Sequence, residues 1–190
     1  MSENLLQDSK PRVGQGKLIK VGDTVVISEA KVGGLHWDTS GGIVKLADHG
    51  NGKDVVLTVS AKPGGPSAPL GKPLLSDSYI RLVSTRHPAP NGDLIAHINV
   101  PANINVRIGM FELPDPNVDN VFLVTKVSGS DGPEIRRGDV VKIRGVSRDP
   151  WLIAPANATN GTAVTLDPDF TKASSWVFGR FGDDGDGNDD

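Results

Sequence analysis

The segment His36-Trp37-Asp38, followed by Thr39-Ser40-Gly41-Gly42, places an imidazole, an indole and a carboxylate at three successive positions. Sugar recognition uses this set of groups. An aromatic face covers the apolar side of a pyranose, and Asp, Asn or His side chains bond its hydroxyls. Arg148-Asp149-Pro150-Trp151 supplies a second carboxylate and indole at a comparable point late in the chain. The candidate ligand-binding residues are therefore His36, Trp37 and Asp38, then Asp149 and Trp151. A plainer reading stands beside this one: Trp37 and Trp151 fill packing positions, as tryptophan often does, and their polar neighbours are solvated turn groups. Asn91-Gly92-Asp93-Leu94 occupies the matching place in the middle of the chain without an aromatic, so three equal sites are not expected. Trp176 precedes Val177-Phe178 and is expected in the core.

Other chemistries find little support. The histidines are His36, His49, His87 and His97, with no His-x-His or His-Glu-x-x-His spacing, and there is no cysteine to supply thiolate ligands or disulfides. His97 alternates with Ile95 and Asn99 and is expected to face solvent, and His49 belongs to a hairpin turn. No Gly-x-Ser-x-Gly elbow, phosphate-binding loop or dinucleotide fingerprint occurs, and no pair of carboxylates stands out. The expectation is a protein without catalytic activity, metal or cofactor. Asp184, Asp186 and Asn188 in the tail carry the first ligand spacing of a calcium loop, but Asp189 replaces the required glycine and the bidentate glutamate is missing. A solvated acidic tail is expected there.

Charge gives no general case for nucleic acid or anionic membrane. The net charge is -3, and the last eight residues, DDGDGNDD, hold five aspartates. Arg136, Arg137, Lys142, Arg144 and Arg148 form a basic cluster, with Lys142 and Arg144 on the outward face of one strand. This is expected to be an ordinary solvated face; few aromatics interleave with it, which argues against single-stranded nucleic acid. The sequons at Asn157 and Asn160 read as turn residues. The start, MSENLLQDSK, lacks the basic and apolar regions of a secretory signal, and no apolar run reaches the length of a membrane span. The expected location is cytoplasmic, with no membrane insertion.

The elements that must position these residues follow from a phrase that occurs three times: Gly16 to Ile27, Gly71 to Leu82 and Gly132 to Ile143. Each copy has an aliphatic residue three places after its glycine (Ile19, Leu74, Ile135) and a turn pair (Gly22-Asp23, Asp77-Ser78, Gly138-Asp139). Each closes on two apolar residues two apart: Val25 and Ile27, Ile80 and Leu82, Val141 and Ile143. With 23 glycines, 14 prolines and 37% hydrophobic residues, the chain suits one domain of many short strands and turns.

Period-two alternation places strands near 24–27, 35–37, 43–46 and 54–59, and again near 140–143, 151–153, 163–166 and 176–178. The middle third is less regular, with strands at 79–83, 94–100, 104–108 and 121–124 and an apolar piece, Met110 to Leu113, without counterpart. Three lobes are read at 16–70, 71–131 and 132–182, between a loose arm at 1–15 and the acidic tail at 183–190. Inward positions are expected at Val25, Ile27, Ile80, Leu82, Val141, Ile143, Leu46, Leu57, Leu123, Leu166 and Phe178.

About twelve short strands in three sets of four, led by a common phrase, resemble the β-trefoil superfamily over roughly 16–182. The resemblance implies an all-β barrel of six strands capped by three hairpins. The alternative is a β-sandwich or jelly roll, which gives no reason for the phrase. The superfamily hosts lectins, inhibitors, growth factors and actin-bundling proteins of the fascin type, so fold alone does not select a function. Its ricin-type branch carries Gln-x-Trp in each lobe, whereas glutamine here occurs only at Gln7 and Gln15. The leading expectation is a lectin-like module that binds glycan. The alternative is a protein-binding module whose contact surface is the Pro-rich 62–73 loop with Met110 and Phe111.

Overall fold

The computed structural model describes residues 16–31, 35–48, 54–59, 70–86, 94–97, 105–108, 118–146 and 149–179. The 1–15 arm, most of the 62–73 loop, His49, His87, Asn91 to Asp93, Met110 to Leu113, Arg148 and the acidic tail lie outside them, as does the side chain of His97. Among the described residues, thirteen strands run in chain order: β1 (Thr24–Glu29), β2 (His36–Asp38), β3 (Lys45–Ala47), β4 (Asp54–Val59), β5 (Ser78–Ser84), β6 (Leu94–His97), β7 (Asn105–Ile108), β8 (Val118–Asp119), β9 (Phe122–Ser128), β10 (Val140–Gly145), β11 (Trp151–Ile153), β12 (Thr165–Asp167) and β13 (Trp176–Gly179). A 3-10 helix, Phe170–Lys172, joins β12 to β13.

Six of the strands close a barrel. β1 pairs with β4, β4 with β5, β5 with β9, β9 with β10, β10 with β13 and β13 with β1, all antiparallel. Closure leaves no barrel edge unpaired. Register sets buried residue against buried residue around the ring: Val25 opposite Val55, Leu57 opposite Leu82, Ile80 opposite Phe122, Val124 opposite Ile143, Val141 opposite Trp176, and Phe178 opposite Ile27. Every inward position expected from the sequence is buried. Each such aliphatic side chain contributes about 1.5–3 kcal/mol by leaving water.

The glycine-led phrases close one end of the barrel. Ile19 N–H donates to Ile135 O at 3.0 Å, Ile135 N–H to Leu74 O at 2.8 Å, and Leu74 N–H to Ile19 O at 2.8 Å, so three buried amides satisfy one another in a ring. A second ring links the outer strands. Val44 N–H donates to Val106 O at 2.8 Å, Val106 N–H to Val164 O at 3.2 Å, and Val164 N–H to Val44 O at 2.9 Å. Behind the third phrase lies a polar knot. Asp139, 2% exposed, accepts hydrogen bonds from Ser130 N–H (2.6 Å), Ser130 Oγ (2.7 Å) and Arg136 N–H (2.8 Å), with Lys126 Nζ at 3.6 Å.

The expectation of a β-trefoil of three pseudo-repeats with about twelve strands is corrected. The fold is all-β, a closed six-stranded antiparallel barrel with seven further strands outside it among the described residues. The three stretches of chain are not equivalent. The middle one contributes five strands, β5 to β9, and β8 pairs with β6 instead of joining the barrel. The phrase repeats because barrel closure constrains it; the outer segments meet only through the ring of Val44, Val106 and Val164 and otherwise diverge. Among the described residues, no helix is long and apolar enough to cross a membrane.

Candidate functional site

The groups able to hold a ligand gather on the outer face of β10, β11 and β12. In β10 the alternation buries Val141 and Ile143 and turns Lys142 and Arg144 outward. β11 buries Leu152 and turns Trp151 and Ile153 outward, and β12 buries Leu166 and turns Thr165 and Asp167 outward. Register aligns Arg144 with Trp151 and Trp151 with Asp167, so the three side chains cross one face in a row.

The 3-10 helix completes the cluster. Asp169 caps it, accepting from Thr171 N–H at 2.9 Å and Thr171 Oγ1 at 2.7 Å. That cap swings Phe170 back over the strands, where its ring meets Trp151 edge-on with centroids 4.9 Å apart. Phe170 remains 53% exposed. The Lys142 ammonium sits 3.8 Å from its ring centroid, and the Arg144 guanidinium lies 5.6 Å from that of Trp151.

The charges are matched. Arg144 Nη1 pairs with Asp149 Oδ1, and Lys172 Nζ with Asp167 Oδ2 at 2.8 Å. The Lys172 hydrogen bond holds the Asp167 carboxyl below the usual carboxylate range, and Asp167 in turn raises Lys172. The hydrogen bonds from Thr171 likewise hold Asp169 low. Asp167 and Asp169 are thus acceptors at neutral pH. Asp149 takes a left-handed backbone, φ 54°, at the turn that leads into β11, a conformation Asp tolerates better than most residues.

The sequence-predicted residues separate into two groups. Asp149 and Trp151 meet here through Arg144. His36, Trp37 and Asp38 lie in β2, on the β2–β3 hairpin. Trp37 is 0% exposed and packs against Trp176, so it offers no face to a ligand, and its reading as a sugar platform is corrected. The cause is strand parity: Trp37 is the central residue of a three-residue strand whose middle position points inward. His36 Nδ1 lies 2.5 Å from Ser28 Oγ. Asp38 accepts from Ser40 N–H at 2.9 Å and borders a shallow hollow of about 220 Å³ with Lys45, Gly41 and Gly42. Sequence reasoning missed Phe170, and took Lys142 and Arg144 for a solvated face. The Asp169 cap directly ahead of an exposed aromatic was the available signal.

No family model and no curated protein matches this chain. Solved structures do. A Caenorhabditis elegans protein with unknown function aligns with a TM-score of 0.59 at 12% identity, covering 86% of this chain and 97% of its own. The SDF2-like protein from Arabidopsis thaliana aligns at 0.60 and 11%, covering 85% and 94%. The water-soluble chlorophyll protein from Brassica oleracea with chlorophyll b aligns at 0.54 and 16%, covering 87% and 98%. At such identities the likeness is one of fold: an all-β barrel with additional strands.

Proposed function

We propose that the protein is a recognition module without catalytic activity that binds glycan on the Trp151–Phe170 face. The observation that carries this reading is an exposed Phe170 packed edge-on against a half-buried Trp151, framed by ion-paired side chains. Trp151 and Phe170 supply apolar area for the flat side of a sugar ring. Asp149 and Asp167 accept from hydroxyls, while Arg144 and Lys172 donate to them. Lys142, Arg144 and Lys172 balance Asp149, Asp167 and Asp169, three charges against three, which suits a neutral, hydroxyl-rich ligand better than a polyanion.

The test is a glycan array probed with the parent protein and with Trp151→Ala, each checked for folding. Selective binding that disappears in the variant supports the reading. Equal binding by a folded variant sinks it.

A second reading rests on Leu70, 78% exposed where the Pro-rich loop rejoins the barrel. An exposed leucine beside that loop suits a protein contact. A pull-down partner lost on deletion of 62–70, with no glycan bound by the parent, would favour it.

A further inference from the structure

Beside the aromatic face, on the other flank of the 3-10 helix, lies a cleft of about 460 Å³. Its walls include Ile153, Ala154, Pro155 and Ala156, and its polar lining includes Glu29, Lys172 and Ser174. The volume falls within the range of small-ligand sites, and the mixed lining has their character.

The cleft and the aromatic face are adjacent. Trp151 and Ile153 point outward from the same strand, two residues and so about 6.7 Å apart along it. The 3-10 helix also spans both, since Phe170 packs on Trp151 while Thr171 and Lys172 line the cleft. Lys172, tied to Asp167, stands at the border between them.

The far end of the cleft is built and polar. Glu29 ends β1, and its N–H donates to Leu35 O at 3.0 Å, which fixes the backbone beneath it. Glu29 is 5% exposed, and its carboxylate accepts from Lys31 N–H at 2.6 Å. Glu29 lines the cleft at this end together with Lys31. Ser174 Oγ is occupied holding the wall, bonded to Ala154 N–H at 2.8 Å.

We infer that this cleft is a second subsite, and that the ligand is an oligosaccharide lying across Trp151 and Phe170 with its next residue in the cleft toward Glu29. The inference rests on the glycan reading above and adds chain length to it. A single terminal sugar would engage the aromatic face alone.

Calorimetry with ladders of one to four residues of glucose, mannose and N-acetylglucosamine tests it. In at least one ladder, affinity should rise tenfold or more between one residue and three. Ala156→Trp, a substitution at an exposed position that fills the cleft, should erase that gain and leave monosaccharide binding intact. Glu29→Gln, which keeps shape and removes charge, should reduce the gain several-fold should the bulkier variant fail to fold. Binding that depends on Trp151 but is flat across length overturns the second subsite and leaves the glycan reading standing. A length-dependent gain unmoved by both cleft variants overturns it equally. Absence of binding in every ladder overturns both.

Discussion

The indole of Trp37 meets that of Trp176 edge-on, with centroids 5.2 Å apart and planes at 81°. Both rings are fully buried. Trp176 Nε1 donates to Leu152 O at 3.4 Å, whereas Trp37 Nε1 has no hydrogen-bond partner among the described residues. Either tryptophan cut to alanine should cost about 3–5 kcal/mol. The phenylalanine variants should differ. Trp37→Phe discards an unsatisfied donor, while Trp176→Phe removes one of two hydrogen bonds to the Leu152 carbonyl, which keeps that from Ser174 N–H at 3.2 Å, so the second should cost about 0.5–1 kcal/mol more. Urea denaturation checks the order; equal costs would contradict it.

The turn pairs of the three phrases make a backbone experiment. Gly22 (φ 92°), Asp77 (φ 63°) and Gly138 (φ 84°) occupy the matching left-handed position. A Cβ on Gly138 would meet nothing within 4 Å, so Gly138→Ala isolates conformational cost and should destabilise by about 1–2 kcal/mol. Asp77→Gly relieves that cost but loses the hydrogen bond from Thr125 Oγ1 to Asp77 Oδ1 at 2.8 Å, so its melting temperature should barely move. A large loss in the Asp77 variant would mean that the side chain, and not the backbone, governs the turn.

Asp139 should make the barrel sensitive to acid. Burial alone would raise its pKa, but the hydrogen bonds from Ser130 and Arg136 and the Lys126 charge outweigh burial and hold it below the usual range. A group lowered on folding stabilises the fold above its unfolded pKa of about 3.9, and that contribution is lost as pH falls from there through the folded value. Unfolding free energy followed from pH 6 to pH 2 should therefore decline through the acid range in the parent, and decline less in Asp139→Asn. The variant should also be about 1–3 kcal/mol less stable at pH 6, because an amide cannot accept all of these hydrogen bonds. Parallel pH profiles would refute the assignment.

On the aromatic face, Phe170→Ala removes the edge contact to Trp151 and the ring under Lys142. Phe170 is exposed, so stability should change by less than about 1 kcal/mol. Glycan affinity should fall about tenfold, or ~1.4 kcal/mol. Unchanged affinity would confine the contact to Trp151 and its charged neighbours.

The barrel was legible because its strands alternate with period two and its closing phrase recurs. The site was half legible. His-Trp-Asp in β2 and Trp-Leu-Ile in β11 look alike as aromatic turns, yet Trp37 aligns with Leu152, while Trp151 aligns with His36. Arg144 faces Trp151 as Ser28 faces His36. A shift of one residue moves a side chain to the opposite face of a sheet, and composition does not carry that parity. Phe170 was hidden for a different reason: Asp167-Pro168-Asp169 reads as a turn, and only the cap on Thr171 shows that the next residue is turned back onto the sheet. Strand β8, two residues long, has no pattern to read.

The two rings of three amides also constrain how the protein is made. The first cannot close until Ile135 has joined Ile19 and Leu74, and the second waits for Val164. During vectorial synthesis, a nascent chain ending before residue 135 has neither ring. Its earlier strands lack their closing partners and expose apolar faces meant for the interior. Folding is thereby tied to contacts more than a hundred residues apart, between Ile19 and Ile135 and between Val44 and Val164, which places this barrel among slow, late-committing topologies.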